Sequence, residues 1–192
     1  TNNFYRNKNV DVQDNIITSA NFTSFTDNQG GIKVYGSDSV NIHDNTISWS
    51  KYTFGIRVRS DTVNYSYGYR NAAKNIRIAN NHIQNSRGGI SILVVSNAAF
   101  STTDDAHTDI LVRDNIIENT QTFGIKADSV RNIIVEGNWL KELNQSAGAG
   151  GGGIDGITLN RCALDIIVRD NILRTTNKTL ANGINISDFD SS

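Results

Sequence analysis

Six tetrapeptides, GIKV at Gly31, GIRV at Gly55, GISI at Gly89, GIKA at Gly124, GITL at Gly156 and GINI at Gly183, hold a variable residue between two apolar ones. The variable residues are Lys33, Arg57, Ser91, Lys126, Thr158 and Asn185; two positions further on stand Tyr35, Arg59, Leu93, Asp128, Asn160 and Ser187. Side chains of an extended chain alternate between its faces, so both rows point away from the apolar pairs. Lys33, Arg57, Arg59 and Lys126 then share one outward face, a basic stripe suited to an anionic ligand. Side by side in a parallel sheet, Lys33 and Arg57 would stand about 5 Å apart and repel by roughly 1 kcal/mol in bulk water, or by about 3 kcal/mol at an effective dielectric of 20. An anion lying along the face relieves that repulsion.

Acid–base chemistry has fewer candidates. Asp128 belongs to the same face, and Asp104, Asp105 and His107 lie in the preceding stretch Ser96–Thr108. Asp128 with Asp104 or Asp105 would make the carboxylate pair that glycosidic hydrolysis needs, about 5 Å apart for retention or about 6.5–9.5 Å for inversion. An elimination beside a carboxylate instead needs a base and a neutralising cation, roles open to Lys126, Arg57, Arg59 or His107. The three Asp residues could also hold a hard cation such as calcium, although loop carboxylates are more often just solvated. The catalytic candidates are therefore Asp128, Asp104, Asp105, Lys126 and His107, with no assigned metal ligand and no other cofactor implied.

What must position these residues is a repeat. A second series interleaves strictly with the first: NVDVQDNII at Asn9, VNIHDNTI at Val40, NIRIANNHI at Asn75, DILVRDNII at Asp109, NIIVEGNWL at Asn132 and DIIVRDNIL at Asp165. Each closes a turn on an Asn, at positions 15, 45, 81, 115, 138 and 171. The shortest full period, from Asn115 to Asn138, is 23 residues, and longer periods carry insertions at two fixed phases. Such a period signals a solenoid. In both series apolar and polar residues alternate, the period of a strand with one buried face, and no segment keeps a helical period. The sequence therefore predicts an all-β solenoid of about six coils with three short strands per coil and no substantial helix. The recurrent Asn is expected at a bend that needs a residue tolerant of positive φ, with amides stacked from coil to coil about 4.8 Å apart.

The chain of 192 residues is long enough for one domain with a real core, read as a single solenoid over 1–192. Hydrophobic residues make up 38%, charged residues 19%, and there are 26 Asn. A net charge of −1 gives no case for nucleic acid or a membrane as partner. No apolar run approaches the roughly 18 residues of a membrane span, and nothing at the start resembles a signal peptide. The lone Cys162 excludes an internal disulfide and reads as a small buried residue. The pattern starts and stops in mid-coil without the polar end caps that solenoids need, so the expectation is a segment of a longer protein or ends covered by a partner.

The interleaved GIxV and NxxIxxNxI elements resemble the parallel β-helix repeats of the pectate-lyase-like superfamily, which includes pectate and alginate lyases, polygalacturonases, mannuronan epimerases and phage tailspike depolymerases. The resemblance covers essentially the whole chain. It implies a right-handed helix of three parallel sheets, the recurrent Asn between the second and third, and a substrate groove along the outer face of the GIxV sheet. The insertions Ser60–Lys74 and Ser96–Thr108 would wall that groove. Tyr65, Tyr67 and Tyr69, at alternate positions in the first insertion, would offer ring faces to sugars.

The polygalacturonase set is missing: RGGISI at Arg87–Ile92 has a Gly where its His would be, and the DPHE element of the epimerases is missing too. No family catalytic residue is carried over. The expected function is binding, and degradation by a lyase or hydrolase, of an acidic polysaccharide, with Lys33, Tyr35, Arg57, Arg59, Tyr65, Tyr67 and Tyr69 as substrate contacts. A phage tailspike or secreted bacterial enzyme fits this, placing it extracellularly or in the virion, with a homotrimer as one conceivable assembly. The alternative is a non-catalytic structural or adhesive shaft.

Overall fold

The computed structural model describes residues 7–18, 30–48, 53–61, 72–95, 107–143, 155–176 and 182–187. Among them the chain is all strand, in triplets. The first three are β1 (Lys8–Gln13), β2 (Ile16–Thr18) and β3 (Gly30–Tyr35); β4 (Asp38–His43), β5 (Thr46–Ser48) and β6 (Phe54–Asp61); β7 (Lys74–Ala79), β8 (His82–Gln84) and β9 (Gly88–Val95). The next three are β10 (His107–Arg113), β11 (Ile116–Glu118) and β12 (Phe123–Asp128); β13 (Val130–Glu136), β14 (Trp139–Lys141) and β15 (Asp155–Asn160); β16 (Ala163–Arg169), β17 (Ile172–Arg174) and β18 (Asn182–Ser187).

Three sheets of six strands result, in the orders β1-β4-β7-β10-β13-β16, β2-β5-β8-β11-β14-β17 and β3-β6-β9-β12-β15-β18. Every neighbouring pair is parallel. This is a parallel β-solenoid with three strands per coil. The apolar residues of the two sequence series point inward and stack: Ile56, Val58, Ile90, Ile92 and Ile125 from one series and Ile42, Ile78, Val112 and Val135 from the other are fully buried. Ile47, Ile83, Ile117 and Leu140 of the short strands complete the core. Each such side chain contributes about 1.5–3 kcal/mol when taken out of water.

Positive φ falls one residue earlier than the repeat suggests. At these turns the left-handed residues are Asp14, Asp44, Asn80, Asp114, Gly137 and Asp170, with φ between 53° and 65°, each immediately before a recurrent Asn. The recurrent Asn residues form a ladder instead. The backbone N–H and Nδ2 of Asn45 donate to Oδ1 of Asn81 at 3.1 and 2.9 Å. The same pair of bonds links Asn15 to Asn45, Asn81 to Asn115, Asn115 to Asn138 and Asn138 to Asn171. The bend thus needs Asp, Asn or Gly for its backbone, and the next residue must be Asn for its amide.

The recurrent Gly has a different cause, close approach. A Cβ at Gly89 would stand 2.4 Å from the Gly124 carbonyl oxygen and 2.5 Å from Cγ2 of Ile117. The GIxV strand therefore enters the core where the coil is too narrow for any side chain.

Both insertions are shorter than the sequence reading has them: Ser60 and Asp61, expected to open the first, continue β6, Lys74 at its end opens β7, and His107 and Thr108 at the end of the second open β10. The inward residues of the edge strand β18 stay exposed, Ile184 at 48% and Ile186 at 58%.

Candidate functional site

Register pairing along the GIxV sheet produces the two outward rows in full. Lys33 is the Cα partner of Arg57, Arg57 of Ser91, Ser91 of Lys126, Lys126 of Thr158, and Thr158 of Asn185. Likewise Tyr35 pairs with Arg59, Arg59 with Leu93, Leu93 with Asp128, Asp128 with Asn160, and Asn160 with Ser187. Lys33, Arg57, Arg59 and Lys126 are thus gathered on one face.

They do not share one exposure. Lys33 is exposed and its Nζ lies 4.3 Å from the centroid of the Tyr35 ring, while Lys126 is half-buried. Arg57 and Arg59 point outward yet are buried, at 2% and 9% exposure. The face is therefore no open sheet of solvated side chains: the two arginines lie within it, and the lysines at either side can be reached. In a site of low effective dielectric such charges act more strongly on an anion than they would in water.

An aromatic slab supports Arg57. The rings of Phe54 and Phe123 stack with centroids 5.6 Å apart. They come from β6 and β12 and lean over Gly88 of the strand between, where a Cβ would stand 2.6 Å from Cζ of Phe123. The Arg57 guanidinium carbon lies 4.8 Å from the Phe54 centroid, a cation–π contact. Neither Phe was picked out by type, although both sit in the same FGI context, FGIRV and FGIKA.

Asp128 is held by its own corner and by the next coil. Ser129 Oγ donates to its Oδ1 at 2.9 Å, and Arg161 donates to the same oxygen from Nε at 2.8 Å and Nη2 at 2.7 Å. Arg161 escaped the sequence reading because it lies outside both repeated series. Its φ of +50° is the signal, a left-handed residue at the corner after β15. The other carboxylate described on this face, Asp155, opens β15 and accepts from Thr158, Asn182 and Asn185. It stands five residues upstream of Asn160, the Cα partner of Asp128, and its side chain reaches forward to Thr158, the Cα partner of Lys126.

His107 lies elsewhere. It opens β10 of the NIxV sheet, is fully buried, and its Nδ1 accepts the backbone N–H of Ala73 at 2.8 Å. Nε2 is buried without a hydrogen-bond partner among the described residues. Burial drives its pKa down to about 4, so the ring is a neutral corner piece facing away from the stripe. Asp104, Asp105, Tyr65, Tyr67 and Tyr69 lie outside the described residues, as does the side chain of Asp61. Cys162 is partly buried, its Sγ donating to the Asn160 carbonyl at 3.4 Å, and burial pushes its thiol up to about 11.

His43 and His82, read as structural, occupy the other sheets and bond to Asp44 and Asp11 and to Glu118 respectively. A shallow recess of about 500 Å³ also lies away from the stripe, on the NIxV sheet, where Leu111, Ile134 and Ile167 form an apolar floor beside Asp109 and Asp165. Its acidic rim is the wrong sign for an anion. Among the described residues no group of three or more His, Cys, Asp or Glu converges as a metal site.

Comparison of the chain with protein-family models, curated proteins and solved structures found no match in any of the three. The class is defined by the fold, a parallel β-solenoid.

Proposed function

We propose that the chain is a polysaccharide-binding β-helix of the pectate-lyase-like kind, acting on an acidic glycan outside the cell or as part of a phage tail. The observation that carries this reading is the cationic face itself, with Lys33 and Arg57 as Cα partners and Arg59 and Lys126 on the same surface. A polymer of sugar acids laid across the strands would bring its carboxylates to that cationic surface. Tyr35, 36% exposed beneath Lys33, adds a ring face at the edge of the stripe.

Cleavage follows as the second part of the proposal. A lyase would use the cations to neutralise the carboxylate beside the proton that is removed, and a hydrolase would need a second carboxyl group near Asp128, for which Asp104 and Asp105 are the candidates. Product release from acidic and neutral polysaccharides tests it, following reducing ends together with the ultraviolet absorbance of unsaturated uronates. New ends with absorbance indicate a lyase, and ends alone a hydrolase. No product from any substrate would leave the non-catalytic shaft.

A further inference from the structure

The two oxygens of Asp128 are treated differently. All three donors, two from Arg161 and one from Ser129, converge on Oδ1, and among the described residues none reaches Oδ2. Asp128 is only 9% exposed, yet Oδ2 is not sealed from solvent. Oδ2 therefore stands open as an acceptor. Arg161 fixes the orientation from the adjacent coil, itself anchored by its backbone N–H to the Ser187 carbonyl at 2.9 Å.

Lys126 lies two residues before Asp128 on the same strand and face, about 6.6 Å away along the chain. It is half-buried and has no ion pair among the described residues. Asp128 and Asp155, which accepts from Thr158, the Cα partner of Lys126, balance the charges of Lys126 and Arg161, and of these two cations Lys126 is the one with no ion pair among the described residues. A bare anion would face the open carboxylate oxygen, however, and a neutral sugar would leave Lys126 unused. Only a ligand carrying both an acid and a hydroxyl satisfies both groups.

We infer that Lys126 and Oδ2 of Asp128 form one subsite for a single sugar-acid residue, Lys126 taking its carboxylate and Oδ2 accepting a hydroxyl proton, with Arg161 and Ser129 as positioning residues. The inference rests on the glycan-binding reading above and gives that face its first individual subsite.

The test titrates the full chain with polygalacturonate, alginate and the methyl esters of both, and measures the thermal midpoint of each variant. Wild type prefers the acids to the esters. Lys126→Ala narrows that preference, and the cations of the remaining face keep part of it. Asp128→Asn and Arg161→Gln weaken acid and ester alike by roughly 10-fold while keeping the preference, which a collapsed fold would not do. Ser129→Ala, which removes one donor, does the same to a smaller degree. Unchanged affinity in Asp128→Asn and Arg161→Gln, with Lys33→Ala still weakening the acids, overturns the subsite and leaves the groove standing. A wild type that binds none of the four polymers overturns both.

Discussion

Asn81 and Asn115 are joined twice: the backbone N–H and Nδ2 of Asn81 both donate to Oδ1 of Asn115 at 3.0 Å. Asn115 in turn donates from Nδ2 to the carbonyls of Ile78 and Arg113, and it is fully buried. Replacing it by Ala strands donors and acceptors on two coils at once, so Asn115→Ala is expected to lower unfolding stability by roughly 2–4 kcal/mol, read from the urea midpoint. A loss below about 0.5 kcal/mol would mean that the ladder is incidental.

Gly89→Ala tests the narrow corner. Its Cβ would meet a backbone carbonyl and a core methyl group, neither of which can swing aside. The expected loss is about 1–3 kcal/mol, again by urea unfolding. Gly88→Ala is the control, since there the new methyl meets the ring ends of Phe123 and Phe54, which can turn.

The two histidines predict opposite pH dependences. His107 is held well below 6.5 in the folded chain, at about 4, so between these values the unfolded chain binds a proton that the folded one does not. Its contribution is complete above about pH 6.5 and is lost as pH falls towards 4, about 3 kcal/mol in all. His107→Gln should flatten that part of the acid limb. The hydrogen bond to Asp44, with Asp11 nearby, raises the pKa of His43. Its contribution is complete below the unfolded value of 6.5 and disappears as pH rises through the raised folded value, so His43→Gln should cost more at pH 6 than at pH 9. Urea midpoints across this range check both signs.

Cys162 should be slow to react. A thiol moved from 9.0 to about 11 holds about 100-fold less thiolate at neutral pH, and iodoacetamide labelling of the folded chain should lag the denatured chain by at least that factor. Equal rates would show that the corner after β15 opens freely.

The repeat made the fold legible because one physical constraint recurs in every coil. Alternating apolar residues at GIxV and NIxV leave one register that buries them all, so the outward rows from Lys33 to Asn185 and from Tyr35 to Ser187 could be read by counting. Corners were less legible, because the Asn that names each turn conceals the residue before it that bends the backbone. Exposure was not legible at all: Arg57 points outward and is still buried at 2%. Alternation tells which face a side chain takes and nothing of what lies over it. Arg161 was missed for a related reason, since its partner Asp128 belongs to a neighbouring coil and a period of variable length hides such pairs.

The central claim is that the cationic face of the GIxV sheet holds an acidic polysaccharide. Electrophoresis of the native chain and of the Lys33→Ala, Lys126→Ala double variant through gels containing alginate, polygalacturonate or dextran measures it most directly. The wild type should be retarded by an acidic polymer and unaffected by dextran, with the retardation lost in the variant while its thermal midpoint holds. Equal mobility of the two proteins in all three gels would contradict it.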